Sequence, residues 1–108
     1  MVIERSNNYT HAHYELSEER WFLVQTNYDR DQPDPIHDPR RTPAEKRMAQ
    51  LGTGLTPEEL LKVMLQWPTM NIATIMTSIM VPGKSYHNTT ALYGENPKVN
   101  SDLSLTVQ

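Results

Sequence analysis

Residues 21–41 read WFLVQTNYDRDQPDPIHDPRR, and the fold follows from how this stretch divides. Trp21-Phe22-Leu23-Val24-Gln25-Thr26 has the composition of a short strand, and Asn27-Tyr28-Asp29 stops it with residues that favour turns. A loop rich in proline and acid then runs to the arginine pair Arg40-Arg41. The polar groups gathered here are suited to steadying a carbonyl oxygen, but no nucleophile stands beside them.

Upstream of this stretch, residues 2–5 and 12–16 read as two further short strands. The polar turns Ser6-Asn7-Asn8 and Ser17-Glu18-Glu19-Arg20 separate them and lead into the strand at Trp21, which predicts a three-stranded meander. Downstream, Thr42-Pro43-Ala44-Glu45 has the form of a helix start: a threonine N-cap, proline at the first helical position and a glutamate placed to close a capping box. That helix should run to Leu51, where Gly52 supplies a left-handed end. Thr56-Pro57-Glu58-Glu59 repeats the pattern, with Leu55 and Leu60 placed to staple the entry. Leu60, Leu61, Met64 and Leu65 form its expected buried stripe, and Trp67-Pro68 ends it.

Residues 72–81 are apolar on both alternating faces, with Ala73, Ile75, Ile79 and Val81 on one and Ile72, Met76 and Met80 on the other. A strand covered on both sides is expected. Met64, Met70, Met76 and Met80 are accordingly read as core filling rather than as a lipid or cofactor groove. Pro82-Gly83-Lys84 turns the chain, and residues 86–93 return as the partner of a hairpin. Residues 94–108 lack periodicity and read as an irregular tail, with at most a weak edge strand at 103–107. Three strands, two consecutive helices and two strands make residues 1–93 an α+β layered domain with antiparallel strands.

Composition narrows the function. In 108 residues, an apolar fraction of 37% supplies only a moderate core, so part of the fold is expected to lean on contacts outside this sequence. The net charge of -3, with ten basic residues scattered among thirteen acidic ones, gives no basic stripe and excludes nucleic acid as the expected partner. The absence of cysteine removes disulfides, thiolate zinc sites and a cysteine nucleophile from this chain. The apolar run at 72–81 is too short to span a bilayer, so no transmembrane segment is expected, and Glu4-Arg5 directly after Met1-Val2-Ile3 argues against a signal peptide. His11 and His13 share a strand face, but no third ligand follows at useful spacing, so neither metal nor cofactor is expected. Asn8-Tyr9-Thr10 and Asn88-Thr89-Thr90 are glycosylation sequons, a pattern short enough to arise by chance as well.

The block Gln25-Thr26-Asn27-Tyr28-Asp29-Arg30, the spacing to Asp38-Pro39-Arg40-Arg41-Thr42-Pro43-Ala44, and Pro68-Thr69-Met70-Asn71 resemble the acid ceramidase and N-acylethanolamine-hydrolysing acid amidase family. The likeness covers residues 2–93, nearly the whole chain. It implies an N-terminal nucleophile hydrolase with an αββα sandwich, made as a lysosomal precursor that cleaves itself to expose a catalytic cysteine. Such enzymes hydrolyse linear lipid amides to a fatty acid and an amine. The resemblance places an oxyanion-stabilising asparagine at Asn27 and an active-site arginine at Arg40. Taken alone, Asn27 reads first as a turn cap, a reading the motif match reverses, and Arg40 reads equally as a surface partner of Asp38. Pro39 stands where the family has a second aspartate, so the local ion network is expected to differ.

The nucleophile is missing from this sequence. The resemblance is therefore to the C-terminal part of a β-subunit, whose partners would be the nucleophile-bearing N-terminal half and a lipid amide substrate. The competing expectation is a non-catalytic α+β binding or regulatory protein that keeps half of the hydrolase fold. A relative acting on bile-acid or penicillin-like amides is a third reading, disfavoured by the D-x-R-R-T-P-A extension.

Overall fold

The computed structural model describes residues 1–92 together with the strand at Thr106–Val107. It is α+β, with two helices and two small antiparallel sheets. The first sheet is a hairpin of β1 (Val2–Arg5) and β2 (Thr10–Tyr14), in which Val2 faces Tyr14 and Ile3 faces His13. The register slips between Glu4 and Arg5, and the turn is closed by the Ser6 N–H donating to the Tyr9 carbonyl at 3.1 Å. The second strand thus lies two residues earlier than residues 12–16.

The expected third strand does not form. Residues 21–26 carry no ladder, and the first sheet stops at two strands. The reason lies in what the alternation measured. Trp21, Phe22 and Val24 are all drawn against the helical core, and the two rings meet edge-to-face with centroids 4.8 Å apart. Apolar packing accounts for these side chains without any neighbouring strand, and the Val24 carbonyl is taken by the Arg30 guanidinium.

Helix α1 covers Arg41–Leu51 and α2 covers Pro57–Leu65. The start of α1 departs from expectation: its N-cap is Arg40, with no capping side chain, and Thr42 lies inside the first turn. The Thr42 N–H instead donates to Asp34 Oδ2 at 2.6 Å, so a carboxylate from the preceding loop does the work of a local cap. Glu45, no longer needed to close a box, faces Arg30 at 3.4 Å. Gly52 ends the helix with φ of 78° but ψ of -177°, outside the left-handed helical region, and its N–H reaches the Met48 carbonyl at 3.1 Å. At α2 the expected capping box is present. Thr56 Oγ1 accepts from the Glu59 N–H at 3.2 Å, and the Thr56 N–H donates to Glu59 Oε2 at 2.8 Å.

The core sits between the helices, where Ala44, Met48 and Val63 are buried and Leu51, Leu55 and Leu60 pack around them. Val63, absent from the expected stripe, is the innermost residue of α2, whereas Met64 is 42% exposed. The helix is rotated relative to the Leu60–Leu61–Met64–Leu65 reading because its deepest line must meet both α1 and the second sheet.

That sheet orders β3 (Met76–Val81), β4 (Tyr86–Ala91) and β5 (Thr106–Val107) as neighbours. β3 begins four residues later than residue 72. Asn71 turns the chain first, its Oδ1 accepting from the Ala73 N–H at 2.9 Å while Thr74 Oγ1 accepts from the Asn71 N–H at 3.1 Å. The hairpin follows as expected, through a 3-10 turn at Pro82–Lys84, with Ser85 in the left-handed region at φ 49°. Coverage on both sides is not observed. Thr77, Ile79 and Thr90 are buried on one face, whereas Met76 and Met80 on the other are 54% and 63% exposed. Of the four methionines expected in the core only Met70 is buried; Met48, not among them, joins it. Most of the expected tail lies outside the described residues, and Thr106–Val107 pairs with Thr90 and Ala91.

This placement yields a stability test. Val63→Ala should cost about 1–3 kcal/mol through lost burial and the cavity left behind, whereas Met64→Ala one residue on should stay within about 0.5 kcal/mol. Denaturant midpoints of the two variants check the difference.

Candidate functional site

The site is assembled by the N-terminus of α1. Arg41, only 8% exposed, sends Nη1 to the Asp29 carbonyl at 3.1 Å and Nη2 to the Gln32 carbonyl, and its Nε lies 4.0 Å from Asp34. These contacts satisfy loop carbonyls that would otherwise need water, and so hold the loop from Asp29 to Asp34 against the helix start. Arg30, on the same loop, ties down the first hairpin. Its N–H donates to Glu4 Oε1 at 2.6 Å, and its guanidinium lies 5.2 Å from the centroid of the Tyr14 ring.

Asn27 stands where residues 21–26 end, in a bend braced by Gln25 Nε2 donating to the Tyr28 carbonyl at 3.1 Å. Its side chain meets Arg40. Arg40 Nη1 donates to Asn27 Oδ1 at 2.6 Å, and Arg40 Nε donates to the Thr69 carbonyl at 2.9 Å. Thr69, 6% exposed, returns a bond from Oγ1 to the Arg40 carbonyl at 3.0 Å. The two candidate residues, thirteen apart in sequence, are therefore in direct contact. A guanidinium carries donors only, so the amide atom facing it is the carbonyl oxygen, and the amide N–H groups of Asn27 are turned elsewhere.

Asn27, Arg40 and Thr69 supply polar groups to a cleft of about 540 Å³ whose walls are largely apolar, among them Val24, Met48, Leu60 and Met64. The volume falls within the roughly 300–1,000 Å³ typical of small-molecule sites. A donor beside an apolar trough suits a ligand with a carbonyl at the head of an aliphatic chain. Among the described residues no cluster of three or more His, Cys, Asp or Glu is placed to hold a metal ion, and no helix is long and apolar enough to cross a membrane.

Asp38 does not pair with the Arg40 guanidinium as a simple surface bridge. It accepts from the Tyr28 hydroxyl at 3.1 Å, while its carbonyl takes the Arg40 N–H at 3.0 Å. Sequence reasoning named Asn27 and Arg40 as candidates and did not name their neighbour Thr69, which lies 29 residues beyond Arg40 and whose only signal was membership of the Pro68–Asn71 motif. It also missed Arg41 as the loop anchor, because adjacent arginines at a helix start give no hint of which one turns inward.

The two sequons occupy different settings. Asn8 lies in the exposed turn between β1 and β2, whereas Asn88 lies within β4 opposite Ile79, on the buried face, with its Oδ1 enclosed.

The Tyr28 hydroxyl is held above its ordinary pKa, first by its hydrogen bond to Asp38, then by burial and the Asp38 charge, with Arg40 opposing. A raised folded-state value means that the bond stabilises fully below the unfolded tyrosine pKa of about 10 and that this contribution is lost as pH rises through the folded value. Asp38→Asn should therefore bring Tyr28 ionisation to lower pH, read as tyrosinate absorbance in an alkaline titration.

No family model matches the chain, and no solved structure matches it. Curated proteins do. The chain is 46% identical over 61 residues to the N-acylethanolamine-hydrolyzing acid amidase of Oryctolagus cuniculus, covering 56% of this chain and 17% of that protein. It is 35% identical over 91 residues to the acid ceramidase of Heterocephalus glaber, covering 80% of this chain and 22% of that protein. The acid ceramidase of Mus musculus is likewise 35% identical, over 73% of this chain and 21% of the relative. The chain spans about a fifth of the length of these relatives, and it is a homologue of the acid ceramidases and N-acylethanolamine-hydrolysing acid amidases.

Proposed function

We propose that this chain is the C-terminal portion of a lipid amidase that hydrolyses the amide bond of ceramides or N-acylethanolamines, and that Asn27 is its oxyanion donor. The observation carrying this reading is the Asn27–Arg40 contact at the polar end of an apolar cleft. A cysteine thiolate attacking the amide carbon would push the carbonyl electron pair onto oxygen. The Asn27 side-chain N–H, already oriented, would donate to that oxygen without reorganising. Collapse would break the C–N bond, the amine leaving with the proton that the cysteine thiol had passed to its own α-amino group, and water would then cleave the thioester to the fatty acid and return the thiol.

This chain has no cysteine, so the reading makes it inactive alone and dependent on a nucleophile-bearing segment. Its span of about a fifth of its relatives is in keeping with that. The open face of the second sheet, with Met76 and Met80 exposed, supports a larger sandwich of the αββα N-terminal nucleophile type, in which a second sheet would cover this face. The word acid in the relatives' names is in keeping with a lysosomal precursor, and the reading takes that precursor to be glycosylated. On that route Asn8 would carry a glycan, while Asn88, its Oδ1 enclosed within β4, would first have to be freed from the sheet.

Two experiments test the proposal. Joined to a cysteine-bearing N-terminal half and assayed at acidic pH for fatty-acid release, the protein should be active, and Asn27→Ala should lower kcat by about 10²- to 10³-fold. Unchanged activity in Asn27→Ala would remove the oxyanion assignment; no activity in a well-folded, monomeric product would favour the non-catalytic binding protein. In cells expressing the joined precursor, Asn8→Gln should lose the mass of one glycan and Asn88→Gln none, as read by mobility before and after glycosidase treatment.

A further inference from the structure

We infer that Arg40 is a positioning residue that fixes the Asn27 amide, and that it does not bind substrate. The inference rests on the oxyanion reading of Asn27 and says how that donor is aimed. An asparagine amide exposed at the end of an unpaired extended segment has little of its own to hold it, since residues 21–26 make no ladder. A donor left to rotate would spend its orientation entropy at the moment of reaction, which is the cost that preorganised oxyanion sites avoid.

Arg40 removes that freedom. Its Nη1 takes Asn27 Oδ1 at 2.6 Å, while its Nε is committed to the Thr69 carbonyl at 2.9 Å. The planar guanidinium sets the direction of both bonds together. Thr69 is itself buried and closes the pair through Oγ1 to the Arg40 carbonyl at 3.0 Å, so Arg40 is gripped at side chain and backbone by one residue 29 positions away. The segment after α2, far from Asn27 in sequence, thereby determines where the amide N–H groups point. With Nε–H and one Nη1 N–H given to protein acceptors, the guanidinium is oriented as a bracket between Thr69 and Asn27. Lysine offers one flexible ammonium without the planar fork, so it should not hold both acceptors in the same geometry.

Side-chain NMR of the full 108-residue chain tests this without any activity. In the parent chain the Asn27 amide should be ordered, with an order parameter near that of rigid backbone, about 0.8, and in Arg40→Lys it should fall below about 0.6. An unchanged Asn27 amide in a folded Arg40→Lys chain would overturn the inference. Should Arg40→Lys not fold, Asn27→Ala, at an exposed position, reads the same contact from the other side. There the Arg40 Nη protons should exchange faster while Nε–H, held by Thr69, stays protected, and equal exchange of the Nη protons in both chains would overturn it. In the joined enzyme, Arg40→Lys should lower kcat with KM unchanged, whereas a raised KM at constant kcat would identify a substrate-binding arginine and overturn the inference. An ordered amide in a joined protein with no amidase activity would leave the positioning role intact and remove the proposed function alone.

Discussion

The buried guanidinium of Arg41 is the constraint on which the site depends. A helix N-terminus leaves N–H groups without partners, and a proline-rich loop leaves carbonyls in the same condition. Arg41 and Asp34 resolve both at one place: the arginine serves the carbonyls of Asp29 and Gln32, and the aspartate serves the Thr42 N–H. Separated from this junction, the loop would have no reason to return to the helix, and Arg40 would have no reason to lie beside Asn27. The same loop carries Arg30 to Glu4, Glu45 and Tyr14, so the first hairpin is attached through charge and cation–π contacts more than through a shared apolar core.

Apolar surface is divided unevenly across the second sheet. The helical core is small, centred on Ala44, Met48 and Val63, and the second sheet offers it only the Thr77, Ile79 and Thr90 face. Met76 and Met80 on the other face are exposed, as are Ile72 and Ile75 just before the strand, so among the described residues nothing covers that side.

Local chemistry was the most readable layer. The Thr56 capping box, the hairpin at Pro82–Lys84 and the breadth of both helices follow from short-range rules that operate within a few residues. The errors share one cause. Strand character at residues 21–26, burial of Met64, Met76 and Met80, and the Thr42 cap were inferred from patterns that report how apolar or how polar a position is, and such patterns do not name the partner. Packing against helices consumed the alternation of Trp21 to Val24, and Asp34 displaced the local cap.

For the site, the sequence by itself determined the chemistry available: an amide at Asn27, a double arginine at 40–41, a proline-bearing loop between them, and no thiol anywhere in the chain. Only the tertiary structure decided which arginine turns inward, that Arg40 reaches across to Asn27, and that Thr69 holds it there. Residue type and spacing settle what a side chain can donate or accept. Which acceptor it meets depends on how separate segments are brought together by a core that no single segment encodes.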